Sequence, residues 1–375
     1  VLALSGTPFN LMDKYDEDNI FTWDYTMEQE SKIRWSIDNP DEENPYAGLP
    51  RMLMYTFDVT NKFNYLDEAK AFNFKEFLRI ENGSTNKLVH DEDVKRFLNY
   101  ITEPNSKSNF PFSKEEFRNN LRHTLWVLPG VKEANGLEYL LKQHDVFKEY
   151  NIVNVVNDGD SAYASDADYN RVRKAIGNDP SKTKTITLTV RKLTTGVNIP
   201  EWTGVFFLSN TESPTSYLQA AFRVQTPFSH EKLGIKKNAY IFDFAPDRAL
   251  KIMSESIGLT SKKGKINTRE QKEKLQHMLN FLPILGQSGN GMKEYGVDTM
   301  LTQLKKAYAD KAVRTGFEDT SLYNDRLLML EETDLSNFDK LKGIVGSHNA
   351  NRKDFININK NGFNQEEYDK GSKAE

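Results

Sequence analysis

Gln219 and Arg223 stand four residues apart in "SPTSYLQAAFRV" (213–224), so a helix there places both on one face. A guanidinium fork matches the oxygens of a phosphate, and such a helix face suits phosphate recognition. Upstream, "RKLTTGVNIP" (191–200) follows the strand candidate "KTITLTV" (184–190). A glycine turn directly after a strand lets backbone approach a ligand closely, because Gly196 carries no Cβ. Arg191, Lys192, Thr194, Thr195 and Asn198 surround that glycine with cations, small hydroxyls and a carboxamide. Taken alone, Arg223 is equally an exposed helix residue or an ion-pair partner. Its combination with Gly196 and Gln219 turns the balance toward phosphate chemistry.

These residues need a scaffold, and the chain around them alternates in the manner of an α/β unit. "HTLWVLP" (123–129), "YNIVNVVN" (150–157), "KTITLTV", "TGVFFLS" (203–209) and "NAYIFDF" (238–244) are short apolar strand candidates. Between them lie the helix candidates "KEANGLEYLLKQH" (132–144), "SDADYNRVRKAI" (165–176) and "SPTSYLQAAFRV". Ser165 and Ser213 are placed as N-caps, with Pro214 in the first turn of the last helix. This alternation predicts a mostly parallel sheet with helices on both faces. Trp126, Trp202, Phe206 and Phe207 are expected in the core or at a domain interface, with base stacking as the lesser reading.

The pattern outside that unit differs. Val1–Leu4 read as a buried strand ending in the turn residues "SGTP", and "NIFTWDY" (19–25) and "MLMYTFDV" (52–59) as further strands. Residues 60–120 are polar and helical in pattern, with "EAKAFNFKEFLRIE" (68–81) and "DEDVKRFLNYI" (91–101) as helices. From about 250 onward helices are expected in "REQKEKLQHMLNFL", "DTMLTQLKKAYADKAVR" and "LYNDRLLMLEET", followed by a polar tail. Four regions result: 1–59, 60–120, 121–250 and 251–375.

Composition narrows the function classes. The 375 residues are 38% hydrophobic and 28% charged, a globular balance that excludes an intrinsically disordered chain. There is no apolar run of the roughly 18 residues needed to span a bilayer, and the absence of cysteine excludes disulfides and thiolate metal sites. A cytoplasmic location fits that cysteine usage. The six histidines are scattered, so no metal site is assigned. A net charge of −4 is unexpected for a protein that binds a polyanion. Local basic stretches, "KLGIKK" (232–237) and "SKKGKINTREQKEK" (261–274), can nonetheless form a groove, although acidic residues make the second one more ordinary as a solvated helix face.

The motifs together resemble those of superfamily 2 helicases and translocases. "TTGVNIP" (194–200) resembles motif V, "QAAFRVQT" (219–226) resembles motif VI, and "LALSGTPF" (2–9) resembles motif III. The flavour is similar to the motor subunits of ATP-dependent restriction enzymes, the DEAD/DEAH-type motors of restriction-modification systems. The resemblance implies a RecA-like fold: the end of lobe 1 over 1–59, a helical insertion over 60–120, RecA-like lobe 2 over 121–250 and a helical C-terminal domain over 251–375.

It also implies roles. Gly196 and Asn198 would face nucleotide, Gln219 and Arg223 would read its phosphates, and Ser5, Gly6 and Thr7 would couple the lobes. Arg191, Lys192, Thr194 and Thr195 would contact the backbone of double-stranded DNA, where contacts allow movement without regard to sequence. ATP and Mg²⁺ are the implied cofactors, with methyltransferase or specificity subunits as further partners. Two positions depart from the pattern: Asn198 replaces a frequent Asp, and Thr226 stands where a second arginine often supplies the finger of phosphoryl transfer.

A motor also needs a phosphate-binding loop. The nearest match to G-x-x-x-x-G-K-[ST] is "GLTSKKGKI" (258–266), one residue too long and ending on Ile266 instead of a hydroxyl. "LDEAK" (66–70) imitates an acidic box but lacks the apolar strand before it. In the resembled family both elements precede motif III, so they are expected upstream of Val1, and the 375 residues by themselves are expected to be inactive as an ATPase. The alternative is a non-catalytic protein- or DNA-binding module on a degenerate RecA-like scaffold, favoured by Thr226 and by the negative charge.

Overall fold

The computed structural model describes residues 21, 23–60, 62–66, 72–104, 110–160, 165–211, 213–256, 268–288, 291–296 and 299–300. Along the chain these form α1 (Tyr25–Asp38), β1 (Arg51–Thr56), α2 (Phe74–Phe77), α3 (Asp91–Thr102), α4 (Glu115–Asn120), β2 (His123–Val127) and α5 (Val131–Gln143). There follow β3 (Asn151–Asn154), α6 (Asp166–Ile176), β4 (Thr185–Thr189), β5 (Gly204–Phe207), α7 (Pro214–Ala221), β6 (Ser229–His230) and β7 (Gly234–Ile235). Last come β8 (Asn238–Asp243), α8 (Pro246–Ser256), α9 (Thr268–Phe281), β9 (Ile284–Ser288) and β10 (Gly291–Glu294).

Eight strands make one sheet in the order β10-β9-β1-β8-β5-β2-β4-β3, and β6 pairs with β7 as a separate two-stranded ribbon. Every pairing in the large sheet is parallel except β10 with β9. The central strands β2, β4 and β5 are buried at every residue, as parallel strands covered on both faces must be. Aromatic rings fill the space above them: Phe206 stacks on Trp126 with centroids 4.9 Å apart and on Phe242 at 4.5 Å. Trp126, Trp202 and Phe206 are fully buried and Phe207 nearly so, which places all four in the core.

Local sequence explains the helices beside the site. Ser165 and Asp168 form a reciprocal capping box at the start of α6, and Gly177, at φ 76°, ends it in the left-handed region. Ser213 caps α7 by accepting from the Ser216 amide, with Pro214 in its first turn. Past Ala221 the chain tightens into a 3-10 turn, Phe222–Gln225.

Several expectations from sequence differ from what is observed. The segment 19–25, expected as a strand, ends in the first turn of α1, because Asp24 caps that helix by accepting from the Met27 amide at 2.9 Å. The helix expected over 68–81 is confined, among described residues, to Phe74–Phe77, whose Phe74 and Phe77 are anchored in the core. Strand β1, grouped by position with region 1–59, lies inside the sheet of region 121–250, in a six-residue register with β8 from Arg51↔Asn238 to Thr56↔Asp243. Met52 and Met54 are fully buried there, and that burial fixes the strand. Region 251–375, expected to be helical, contributes β9 and β10. The helices expected from 301 onward, Val1–Leu4, "LDEAK" beyond Leu66 and all of "GLTSKKGKI" lie outside the described residues.

Candidate functional site

Strand β4 ends at Thr189 and the parallel strand β5 begins at Gly204, with β2 between them in the sheet. The intervening segment therefore has to travel from the carboxyl end of one strand to the amino end of another without a helix. It is "VRKLTTGVNIPEWT" (190–203), which contains the glycine turn.

Side chains clamp this segment at three heights. At the carboxyl end, the Thr189 hydroxyl donates to the Lys192 carbonyl at 2.5 Å and the Thr194 hydroxyl to the Arg191 carbonyl at 2.6 Å. The Lys192 ammonium turns inward, donating to the Val155 carbonyl and to Asp158 Oδ1, both at 3.0 Å, with Asp168 at 3.4 Å. At the amino end, Lys236 Nζ donates to the carbonyls of Pro200 at 2.7 Å and Trp202 at 3.0 Å, and Arg173 pairs with Glu201 at 2.6 Å. Burial lowers the Lys236 pKa to about 7.

The third clamp is Arg223. Its Nη1 donates to the Val197 carbonyl at 2.8 Å and its Nε to the Gln219 carbonyl at 3.1 Å. Burial pulls its pKa below the ordinary arginine value. Among the described residues, Nη2 has no hydrogen-bond partner. The end of α7 and the middle of the loop are thus one unit, held by one guanidinium.

Between the clamps the backbone is contorted. Leu193 sits at φ 63° with its side chain buried, and Gly196 at φ 70°. For leucine this region is disfavoured, and such outliers cluster where a loop is held for function. Gly196 and Asn198 are exposed, Thr194, Thr195, Gln219 and Arg223 are partly exposed, and a Cβ built on Gly196 would meet nothing within 4 Å. The glycine is required by its φ, and open space lies beside it.

Of the residues singled out from sequence, the fold therefore brings Gly196, Asn198, Gln219 and Arg223 to one place. Arg191 is exposed at the carboxyl end, but its Nε donates to Asp160 Oδ2 at 2.6 Å and its amide to Asp160 Oδ1 at 3.1 Å. Lys192, expected on DNA, is instead a buried support of the loop, because two carboxylates and a carbonyl satisfy it internally. "KLGIKK" is no free basic stripe either: Lys232 pairs with Asp179 at 3.1 Å and Lys236 is buried. Thr226 closes the 3-10 turn. Ser5, Gly6 and Thr7 lie outside the described residues.

Sequence reading missed a buried polar node behind α7. Tyr217 donates its hydroxyl to Asp243 Oδ2 at 2.9 Å, and Arg248 Nη2 donates to Asp243 Oδ1 at 2.8 Å. Arg248 also donates to the Ser209 carbonyl and lies over the Phe74 ring at 5.7 Å. Burial pushes the Asp243 carboxyl upward, while Arg248, the Ala245 amide and Tyr217 oppose that shift. The signal was present in "IFDFAPDR", an aspartate at the end of an apolar strand followed five residues later by arginine.

No family model matches the chain. Over 316 residues, 76% of its length, it is 28% identical to a protein of Mycoplasma pneumoniae (strain ATCC 29342 / M129 / Subtype 1) described as "Putative type II restriction enzyme and methyltransferase RM.MpnORF110P C-terminus". The chain spans 42% of that relative's length. Among solved structures, an "ATP-dependent Type ISP restriction-modification enzyme LlaBIII bound to DNA" aligns with 71% of the chain and 17% of its own, at 15% identity and a TM-score of 0.34. The sequence relationship links the chain to proteins of restriction and modification. Among the described residues no helix is long and apolar enough to cross a membrane.

Proposed function

We propose that this chain is the second RecA-like lobe, with flanking regions, of an ATP-dependent DNA translocase in a restriction-modification system. The observation that carries the reading is the Arg223 clamp. It joins the glycine loop to the end of α7 and brings the partly exposed Arg223 beside Gly196 and Asn198, which are exposed. The relationship to the Mycoplasma protein supports the restriction-modification setting.

The residues fit a polyphosphate. Open space beside Gly196 admits close approach of the ligand to backbone, and among the described residues the Nη2 of Arg223 has no other partner. ATP, when bound, would supply the phosphoryl transfer that drives movement. Gly196 and Asn198 would line the nucleotide, while Gln219 and Arg223 would face its phosphates. Among the described residues no three acidic or histidine side chains converge as metal ligands. The reading leaves Mg²⁺ and the phosphate-binding loop to another lobe, since the 375 residues contain no G-x-x-x-x-G-K-[ST] sequence. Arg191, Thr194 and Thr195, at the carboxyl end of β4, would meet the backbone of duplex DNA.

One observation favours a second reading. At the position of the usual second arginine, Thr226 offers no guanidinium, which suits a binding module without catalysis. Assaying the 375-residue chain with duplex DNA and ATP separates the possibilities. Binding of duplex without turnover is expected; robust hydrolysis by this chain alone would contradict the requirement for another lobe.

A further inference from the structure

The basic residues that open the glycine loop do not face solvent freely. The connection leaving β3, "VVNDGD" (155–160), crosses to them and supplies carboxylates. Asp160 takes the Arg191 amide on one oxygen and its Nε on the other. Asp158 accepts from Lys192 and lies 3.4 Å from Arg171, and Asp168 pairs with Arg171 at 2.5 Å. The interaction with Lys192 holds the Asp158 carboxyl below the ordinary carboxylate range. Three cations, Arg191, Lys192 and Arg171, are thus matched by Asp158, Asp160 and Asp168.

The two pairs differ in kind. Lys192 is buried and its partners brace the loop. Arg191 is 64% exposed at its side chain, while the Asp160 side chain is only 9% exposed. A surface arginine is therefore held by an inward carboxylate through two donors that converge on two oxygens. A phosphodiester would draw on the same guanidinium. A phosphate and Asp160 cannot both take the Nε of Arg191.

We propose that Asp160 is an internal competitor for the DNA backbone at Arg191, and that it sets the affinity and salt dependence of duplex binding. This rests on the reading of the loop as a DNA contact. The carboxylate already takes Nε and offsets the charge of Arg191, so a phosphate meets a weakened partner and binding by the native chain is weaker than its loop composition suggests. The negative net charge of the chain has a local counterpart here.

The test uses the 375-residue chain and a blunt 30-base-pair duplex, titrated by fluorescence anisotropy across a salt series. Asp160→Asn keeps an oxygen for the Arg191 amide but removes the charge. It is expected to tighten binding by roughly twofold to fivefold, the scale of one exposed ion pair, and to steepen the log Kd against log salt slope by about 0.9. Both gains are expected to vanish in the Asp160→Asn/Arg191→Gln double variant. Unchanged or weaker binding by Asp160→Asn overturns the proposal. A gain that survives Arg191→Gln also overturns it, because bulk charge would then suffice. If neither the native chain nor the variant binds duplex at low salt, the DNA-contact reading falls, and this inference with it. Native binding that Asp160→Asn leaves unaltered removes the inference alone.

Discussion

Arg223 Nη1 lies 2.8 Å from the Val197 carbonyl, 26 residues away in the chain, and so fastens the end of α7 to the glycine loop. The residue proposed to face phosphate also holds together the loop and the helix end on which it sits. Its Nε is spent on the Gln219 carbonyl, which fixes the plane of the guanidinium. A lysine ammonium has no planar fork, so it cannot hold both carbonyls in the geometry set by Nε and Nη1.

Arg223→Lys is therefore expected to destabilise the chain by roughly 1.5–3 kcal/mol, the scale of hydrogen bonds to a charged group. Amide exchange over residues 194–199 should quicken more than in the sheet. Native protection of that loop in the variant would show that the clamp is dispensable.

Gly196 is fixed by its φ of 70° and not by crowding, since its Cβ position is empty to 4 Å. Gly196→Ala should cost about 1–2 kcal/mol from backbone strain alone, and Gly196→Asn less. Urea titration with unchanged slope is the check, and a loss above about 4 kcal/mol would mean a steric contact is involved.

The Tyr217–Asp243–Arg248 node makes a graded prediction. Arg248→Met leaves Asp243 buried without its charged partner and should cost roughly 3–5 kcal/mol, whereas Tyr217→Phe should cost about 1 kcal/mol. Adding Asp243→Asn to Arg248→Met should recover part of the loss. Equal effects of the two single variants in chemical denaturation would contradict the node as drawn.

Lys236 gives a pH signature. Its folded pKa is lowered to about 7 from 10.5, so between those values the unfolded chain holds a proton that the folded chain lacks. Stability should then rise with pH across that window, by up to about 1.4 kcal/mol per unit, and gain nothing from this group below pH 7. Lys236→Met should flatten that slope in urea midpoints measured from pH 7 to 10. An identical slope in the variant would assign it to other groups.

Much of this organisation was legible in the chain. Ser165, and Ser213 with Pro214, announced two helix starts, because capping is a local interaction written in adjacent residues. The apolar runs of β2, β4, β5 and β8 announced a sheet buried on both faces. The place of β1 was not legible, since a strand's neighbour is chosen by long-range register and not by chain position. Nor was the direction of Lys192: its burial depends on Asp158 and Asp168, which a different connection supplies. The positive φ of Leu193 left no trace, because leucine at a left-handed position has no sequence signature.

The most direct measurement is duplex-stimulated ATP hydrolysis by the intact polypeptide from its source, compared with its Arg223→Ala variant, with duplex binding followed in parallel. Stimulated turnover in the native protein, lost in the variant while duplex binding persists, is the expected result. Equal turnover in both would contradict the placement of Arg223 at the nucleotide.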